Sequence, residues 1–224
     1  MRDLTSEKRP LDSYLQILFP GEPSDLFRRS REYAQDLGKA GISLGPAEAR
    51  LMATLIRAHQ CKKFVEIGTL SGTSALWILH ALGKGGELWT FEKDLDHAKL
   101  AKDIFHQHQA SNSEQKVYLI EGDARETLKS IESQGPFDGI FIDGPKSAYS
   151  DYLDWAEKNL KKGALILADN VFLSGGVFTG NTATFSKKQI EVMKEFNQRL
   201  ANPEKYFGAI IPTDEGLFAA IKLF

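Results

Sequence analysis

Three residues carrying hard oxygen donors stand at the ends of two apolar runs. Asp143 directly follows Ile140-Phe141-Ile142, and Asp169-Asn170 directly follow Ala164-Leu165-Ile166-Leu167-Ala168. Two carboxylates and an amide oxygen suit Mg²⁺ or a similar hard cation, and three protein ligands leave positions for water or a chelating substrate. Lys146 lies three residues past Asp143 and brings a positive charge to the same stretch. Each residue also has a plainer reading: an Asp after a strand often caps the next helix, and a lysine is commonly a solvated surface charge.

A second group lies upstream. Glu66-Ile67-Gly68-Thr69-Leu70-Ser71-Gly72-Thr73-Ser74 puts glycines where an apolar run ends and a helix begins, which permits a tight turn and close backbone approach to an adenosine-type ligand. Glu92 closes the next apolar run 24 residues after Gly68. At that separation a carboxylate reaches ribose hydroxyls and accepts two hydrogen bonds. The third run ends in Glu121-Gly122-Asp123-Ala124, where a carboxylate and a small residue could border an adenine ring. The plainer readings are an ordinary strand-to-helix turn and a solvated strand-end charge at Glu92.

These residues need a scaffold that gathers strand ends. Short, almost wholly apolar runs at 63–67, 87–92, 117–121, 138–143, 164–168, 206–211 and 217–223 read as strands, and 72–82, 94–108 and 149–161 carry amphipathic helical patterns. Such alternation predicts an α/β fold: a mostly parallel seven-stranded sheet with helices on both faces and ligands beyond the carboxyl ends of the strands. Pro212-Thr213-Asp214-Glu215-Gly216 between the last two runs predicts a hairpin and an antiparallel edge. Upstream, residues 11–40 read as helical with a break at Pro20-Gly21, and Ser43 to His59 as a further helix opened by Gly45-Pro46. The division is a helical extension at 1–40 and one cofactor-binding domain at 41–224. Residues 173–187, rich in Gly, Thr and Ser, read as a loop near the acceptor.

Composition narrows the class. A chain of 224 residues suits a single core, and the lone Cys61 excludes an intrachain disulfide or a cysteine-rich zinc site. No apolar run approaches the ~20 residues of a membrane span, and MRDLTSEKRP has no signal-peptide core, so the expectation is a cytoplasmic protein without membrane association. A net charge of −2 gives no general attraction to nucleic acid, although Arg28, Arg29 and Arg31 form a local basic cluster.

With these residues assembled, the sequence resembles the cation-dependent, S-adenosylmethionine-dependent O-methyltransferases of the caffeoyl-coenzyme A and catechol type. The resemblance runs through Ile42-Ser43-Leu44-Gly45-Pro46, VEIGTLSGTSAL, Glu92, GDA at 122–124, FIDGPKSAY at 141–149, LADNV at 167–171 and Phe196-Asn197, and PTDEGL at 212–217 resembles the family's closing Asp turn. It implies a Rossmann-like methyltransferase fold. It implies that Glu66, Gly68, Ser74, Glu92, Ala124 and Asp143 contact S-adenosylmethionine, that Asp143, Asp169 and Asn170 hold a divalent cation, and that Lys146 assists deprotonation of the acceptor. The cation would be Mg²⁺, with Mn²⁺, Ca²⁺ and Zn²⁺ as alternatives. The acceptor would be a small hydroxylated aromatic of the vicinal-diol kind, and the assembly a homodimer, to which Tyr14, Leu15 and Phe19 offer apolar surface. Two departures stand out: Asp143-Gly144-Pro145-Lys146 replaces the more usual Asp-Ala-Asp-Lys or Asp-His-Trp-Lys, and Leu44 replaces a small hydroxyl residue. Two other functions compete, a methyltransferase acting on a hydroxylated tRNA nucleoside and a nicotinamide-dependent Rossmann oxidoreductase.

Overall fold

A computed structural model describes residues 10–19, 21–39 and 44–224. Pro20 and the Ile42-Ser43 part of the proposed motif lie outside the described residues. The seven strands are β1 (Lys63–Ile67), β2 (Glu87–Glu92), β3 (Lys116–Glu121), β4 (Phe137–Ile142), β5 (Leu160–Ala168), β6 (Tyr206–Ile211) and β7 (Leu217–Lys222). They form one sheet in the order β3-β2-β1-β4-β5-β7-β6, parallel except that β7 runs antiparallel to both β5 and β6. The switch point lies between β1 and β4, where the chain first winds outward through β2 and β3 and then returns to the other side of β1. Ligand crevices of doubly wound sheets form at this point.

The helices are α1 (Pro10–Leu18), α2 (Asp25–Asp36), α3 (Pro46–Ala58), α4 (Thr73–Leu82), α5 (Leu95–Ser111), α6 (Ala124–Thr127), α7 (Tyr149–Asn159), α8 (Gly176–Thr179) and α9 (Lys187–Leu200). Local chemistry sets their ends. Pro46 opens α3, Asp94 caps α5 by accepting from the Asp96 and His97 amides, and Ser186 with Gln189 forms a capping box on α9. Among the described residues, no helix is long and apolar enough to cross a membrane.

Because strand side chains alternate between faces, the sheet carries two cores. Val65, Ile67, Phe91, Ile140, Ile142 and Ile166 pack on one side with α7 and α9. Phe64, Leu88, Phe141, Leu165 and Leu167 pack on the other with α3, α4 and α5. Continuing that alternation, Glu66, Thr90, Glu92, Asp143 and Asp169 all share the parity of the second face. Helix α2 is sewn to this face: Phe27 is buried against Trp77 at 5.1 Å between ring centroids, and Ser30 Oγ lies 2.9 Å from Thr73 Oγ1.

The strands depart from the sequence expectation by one residue in β3, β4 and β7, and by four at the start of β5. β5 begins at Leu160 rather than 164, because a register shift between Phe137 and Gly139 lets Leu160 pair with Phe137 while Leu165 pairs with Gly139. The extra residues Lys161-Lys162-Gly163 bulge outward, with Gly163 at positive φ. Within the expected 173–187 loop, 176–179 forms the single turn α8.

Candidate active site

Parallel pairing carries the strand-end residues to one edge. The Gly68 amide donates to the Phe91 carbonyl at 3.1 Å, Asp143 to Ile67 at 2.8 Å and Asp169 to Ile142 at 3.1 Å. A cavity of about 370 Å³ opens there, lined among others by Gly68, Ser71, Ser74, Glu92, Ala124 and Asp143. Gly68 has φ of +97°, and a Cβ at that position would lie 2.3 Å from the Asp143 carbonyl oxygen, so the close approach of the two strand ends requires glycine.

Glu92 organises the loop above it. One carboxylate oxygen accepts from the Leu70 amide at 2.8 Å and the Thr69 amide at 3.3 Å, and the other from the Asp94 amide at 2.9 Å. A carboxylate accepts about four hydrogen bonds, so these three leave capacity for a ligand hydroxyl. The Ser71 hydroxyl also lines the cavity, fully buried and without a hydrogen-bond partner. An orphaned donor of that kind fits a polar ligand.

Glu66 lies behind the cavity wall rather than on it. It is wholly buried, and Thr90 Oγ1 donates to its Oε2 at 2.6 Å while standing 2.5 Å from Thr69 Oγ1. Its other oxygen has no partner of regular geometry, although the nearby Ser74 hydroxyl favours its charged form. Burial dominates and pushes the carboxyl up to about 8. The folded protein therefore holds a proton that the unfolded chain has released above its ordinary value of 4.5, and the stability this lends is lost as pH rises through about 8. Glu66→Gln removes the ionisation. The variant is expected to match the parent in thermal midpoint near pH 5, to exceed it increasingly as pH rises to about 8 and to keep that margin at pH 9, a gap of a few kcal/mol at most. Identical midpoints at pH 9 would exclude a buried, proton-holding Glu66.

The second cluster sits one strand away. Lys146 Nζ donates to Asp143 Oδ1 at 3.0 Å and to the Tyr149 hydroxyl at 2.6 Å, and Tyr149 in turn donates to the Asp169 carbonyl at 2.8 Å. Asp169 is only 3% exposed, and burial, followed by the charge of Asp143, pushes its carboxyl up to about 7. Tyr149 is fully buried, and burial with both aspartates holds its phenol well above the usual range, so it stays neutral and able to donate. Asn170 follows in the left-handed region at φ +60°, which asparagine tolerates better than most residues. No group of three or more His, Cys, Asp or Glu among the described residues is arranged as a metal site. The candidate set has only two such residues, with the third donor an amide.

Of the residues singled out in the sequence, Gly68, Ser74, Glu92, Ala124 and Asp143 meet in one cavity, and Asp143, Lys146 and Asp169 meet beside it. Sequence reasoning missed Thr90 and Ser71 as site polar groups and Tyr149 as the lysine's partner. A threonine inside the apolar run ELWTFE was the available signal for the first. For Tyr149 it was the three-residue spacing from Lys146 at a helix start.

Fold and site together define a methyltransferase of the S-adenosylmethionine-dependent class. The chain belongs to the O-methyltransferase family, whose model matches residues 22–223. A catechol O-methyltransferase from Niastella koreensis is 32% identical over 192 residues, covering 85% of this chain and 84% of that protein. Another from Mycobacterium tuberculosis is 30% identical over 157 residues, covering 69% and 70%. The crystal structure of a Klebsiella pneumoniae protein assigned as an O-methyltransferase matches with a TM-score of 0.84 at 29% identity, over 96% of each chain. TomG of Streptomyces achromogenes, solved with S-adenosylmethionine, shares the fold at a TM-score of 0.85 and 23% identity, again over 96% of each chain. The protein is an S-adenosylmethionine-dependent O-methyltransferase, and the nicotinamide oxidoreductase reading falls.

Proposed function

We propose that the protein methylates a hydroxyl of a small catechol-like vicinal diol with the help of a divalent cation, Mg²⁺ being the simplest choice. One observation carries this reading: Asp143 lines the cofactor-sized cavity and also pairs with Lys146 at 3.0 Å, so the methyl donor and a charged acceptor site would share a wall. The names of the two catechol O-methyltransferase relatives support the acceptor class.

Gly68, Ser74, Glu92 and Ala124 would hold S-adenosylmethionine, with Glu92 on the ribose and Glu66 acting from behind the wall through Ser74. The oxygens of Asp143, Asp169 and Asn170 fit a hard cation by donor type. When bound, the cation would supply electrostatic stabilisation to an acceptor oxygen losing its proton. A phenol with pKa near 10 needs roughly 3 to 4 kcal/mol of preferential anion stabilisation to ionise near neutrality, at about 1.4 kcal/mol per unit. Lys146 would place part of that positive charge beside the acceptor and stabilise the oxyanion as its proton leaves to solvent, since an ammonium cannot itself accept it. The remaining contribution of the chain is positioning, since donor and acceptor are held by neighbouring strand ends. A homodimer belongs to this reading, supported by the exposed Tyr14, Ile17 and Leu18 of α1.

The direct test is transfer of labelled methyl to catechol-type diols, to their monohydroxy analogues and to extracted RNA, with and without added cation. Cation-stimulated labelling of diols, with monohydroxy compounds poor, is the expected result. Label entering RNA while diols stay blank would replace the acceptor by a hydroxylated nucleoside.

A further inference from the structure

The ammonium of Lys146 has two partners, and only one of them is a carboxylate that the proposed cation would also claim. Tyr149 is the other. Its hydroxyl oxygen accepts from Lys146 Nζ at 2.6 Å, the shorter of the two contacts, while its hydrogen points to the Asp169 carbonyl at 2.8 Å, with the Ile142 carbonyl at 3.2 Å. The ring cannot swing away. It is fully buried, packs edge-on against Phe196 at 5.1 Å and against Tyr152 at 6.4 Å, and presents its face to the same ammonium 4.8 Å away. Backbone carbonyls of β4 and of the residue after β5 thus fix a phenol, and the phenol fixes a lysine. Since a lone lysine side chain has four freely rotating bonds, such a clamp removes rotamer freedom that would otherwise be lost at each turnover.

From this arrangement we infer that Tyr149 is a positioning residue for methyl transfer, holding the Lys146 ammonium toward the acceptor through its hydroxyl. The inference rests on the reading of Lys146 as an acceptor-site group. Tyr149 touches neither the cofactor cavity nor the acceptor in this scheme, and an effect passing through Lys146 is distinguished from one passing through the Asp169 carbonyl, which its hydroxyl also holds, by removing the lysine.

A double-mutant cycle tests it, with diol methylation and S-adenosylmethionine binding measured on each protein. Tyr149→Phe is expected to lower kcat about tenfold or more, with KM for S-adenosylmethionine and its calorimetric affinity unchanged. In a Lys146→Ala background the same substitution is expected to change kcat less than twofold, because the group it positions is gone. Equal losses in both backgrounds would overturn the inference and assign Tyr149 to packing. Should Tyr149→Phe lose cofactor binding through misfolding, Tyr149→4-aminophenylalanine takes its place: the aniline donates to both carbonyls but accepts poorly. It is expected to fold and still show the kcat loss, and full activity would overturn the inference. Undiminished activity of Lys146→Ala alone would instead remove the underlying reading of the lysine. A strong Lys146→Ala defect beside a silent Tyr149→Phe would remove only the role of Tyr149.

Discussion

Excess EDTA is expected to stop methyl transfer to a diol acceptor without unfolding the protein, and Asp169→Ala is expected to do the same permanently. The loss should exceed about 100-fold, the upper end of what even the outer partners of metal sites contribute. Asp169 is buried, carries a carboxyl raised to about 7 and lies within the influence of Asp143, so deleting it relieves a desolvated charge and leaves stability little changed. Binding of S-adenosylmethionine should persist, because Gly68, Ser74, Glu92 and Ala124 belong to the other half of the edge. Activity restored by readdition of Mg²⁺ or Mn²⁺ completes the expected pattern. A metal-stripped protein that remains fully active in EDTA, or an active Asp169→Ala variant, would refute the cation while leaving the methyltransferase assignment untouched.

Gly68→Ala is expected to be nearly as damaging, for a steric reason. The new Cβ would fall 2.3 Å from the Asp143 carbonyl oxygen, on backbone locked in place by the hydrogen bond from the Asp143 amide to Ile67. A φ of +97° adds strain of ~1 to 3 kcal/mol for any L side chain. Together with the clash, a loss of at least about 3 kcal/mol is expected, or roughly 6 to 12 °C in thermal midpoint for a chain of this size. S-adenosylmethionine affinity should fall with it. Gly21→Ala, where an added Cβ meets nothing within 4 Å, is the matched control and should melt like the parent. Equal midpoints for the two variants would show that the strand ends have room to separate.

The sequence carries the sheet more clearly than the site. β1 and β2 are legible to the residue because KFVEI and ELWTFE are short, apolar and bounded by turn formers. The start of β5 is not, since Leu160-Lys161-Lys162-Gly163 looks like a charged helix end, and only the pairing with Phe137 makes it strand. Glu92, Asp143 and Asp169 are legible as candidates because, although a single strand-end carboxylate often caps the next helix, three of them brought to one edge of a parallel sheet point to a shared crevice, which Glu92 and Asp143 line. Glu66 is legible as important but not as buried: its environment depends on register, which sets Thr90 beside it, and on α4 closing over that face. The same holds for Tyr149, whose hydroxyl acquires its meaning only when β4 and β5 bring the Ile142 and Asp169 carbonyls together.

The rung that runs from Ile67 to Asp143 and from Ile142 to Asp169 has a bearing on how the chain folds. None of its bonds joins neighbours in sequence, and parallel pairing offers no local hairpin from which to start. Loop-closure entropy must be met before any of these contacts returns energy, which places such topologies on the slow side of folding. The crevice between β1 and β4 exists only after both windings of the chain have docked. Capture of S-adenosylmethionine therefore reports a finished fold, and by mass action the methyl donor favours the completed protein over every partly wound precursor.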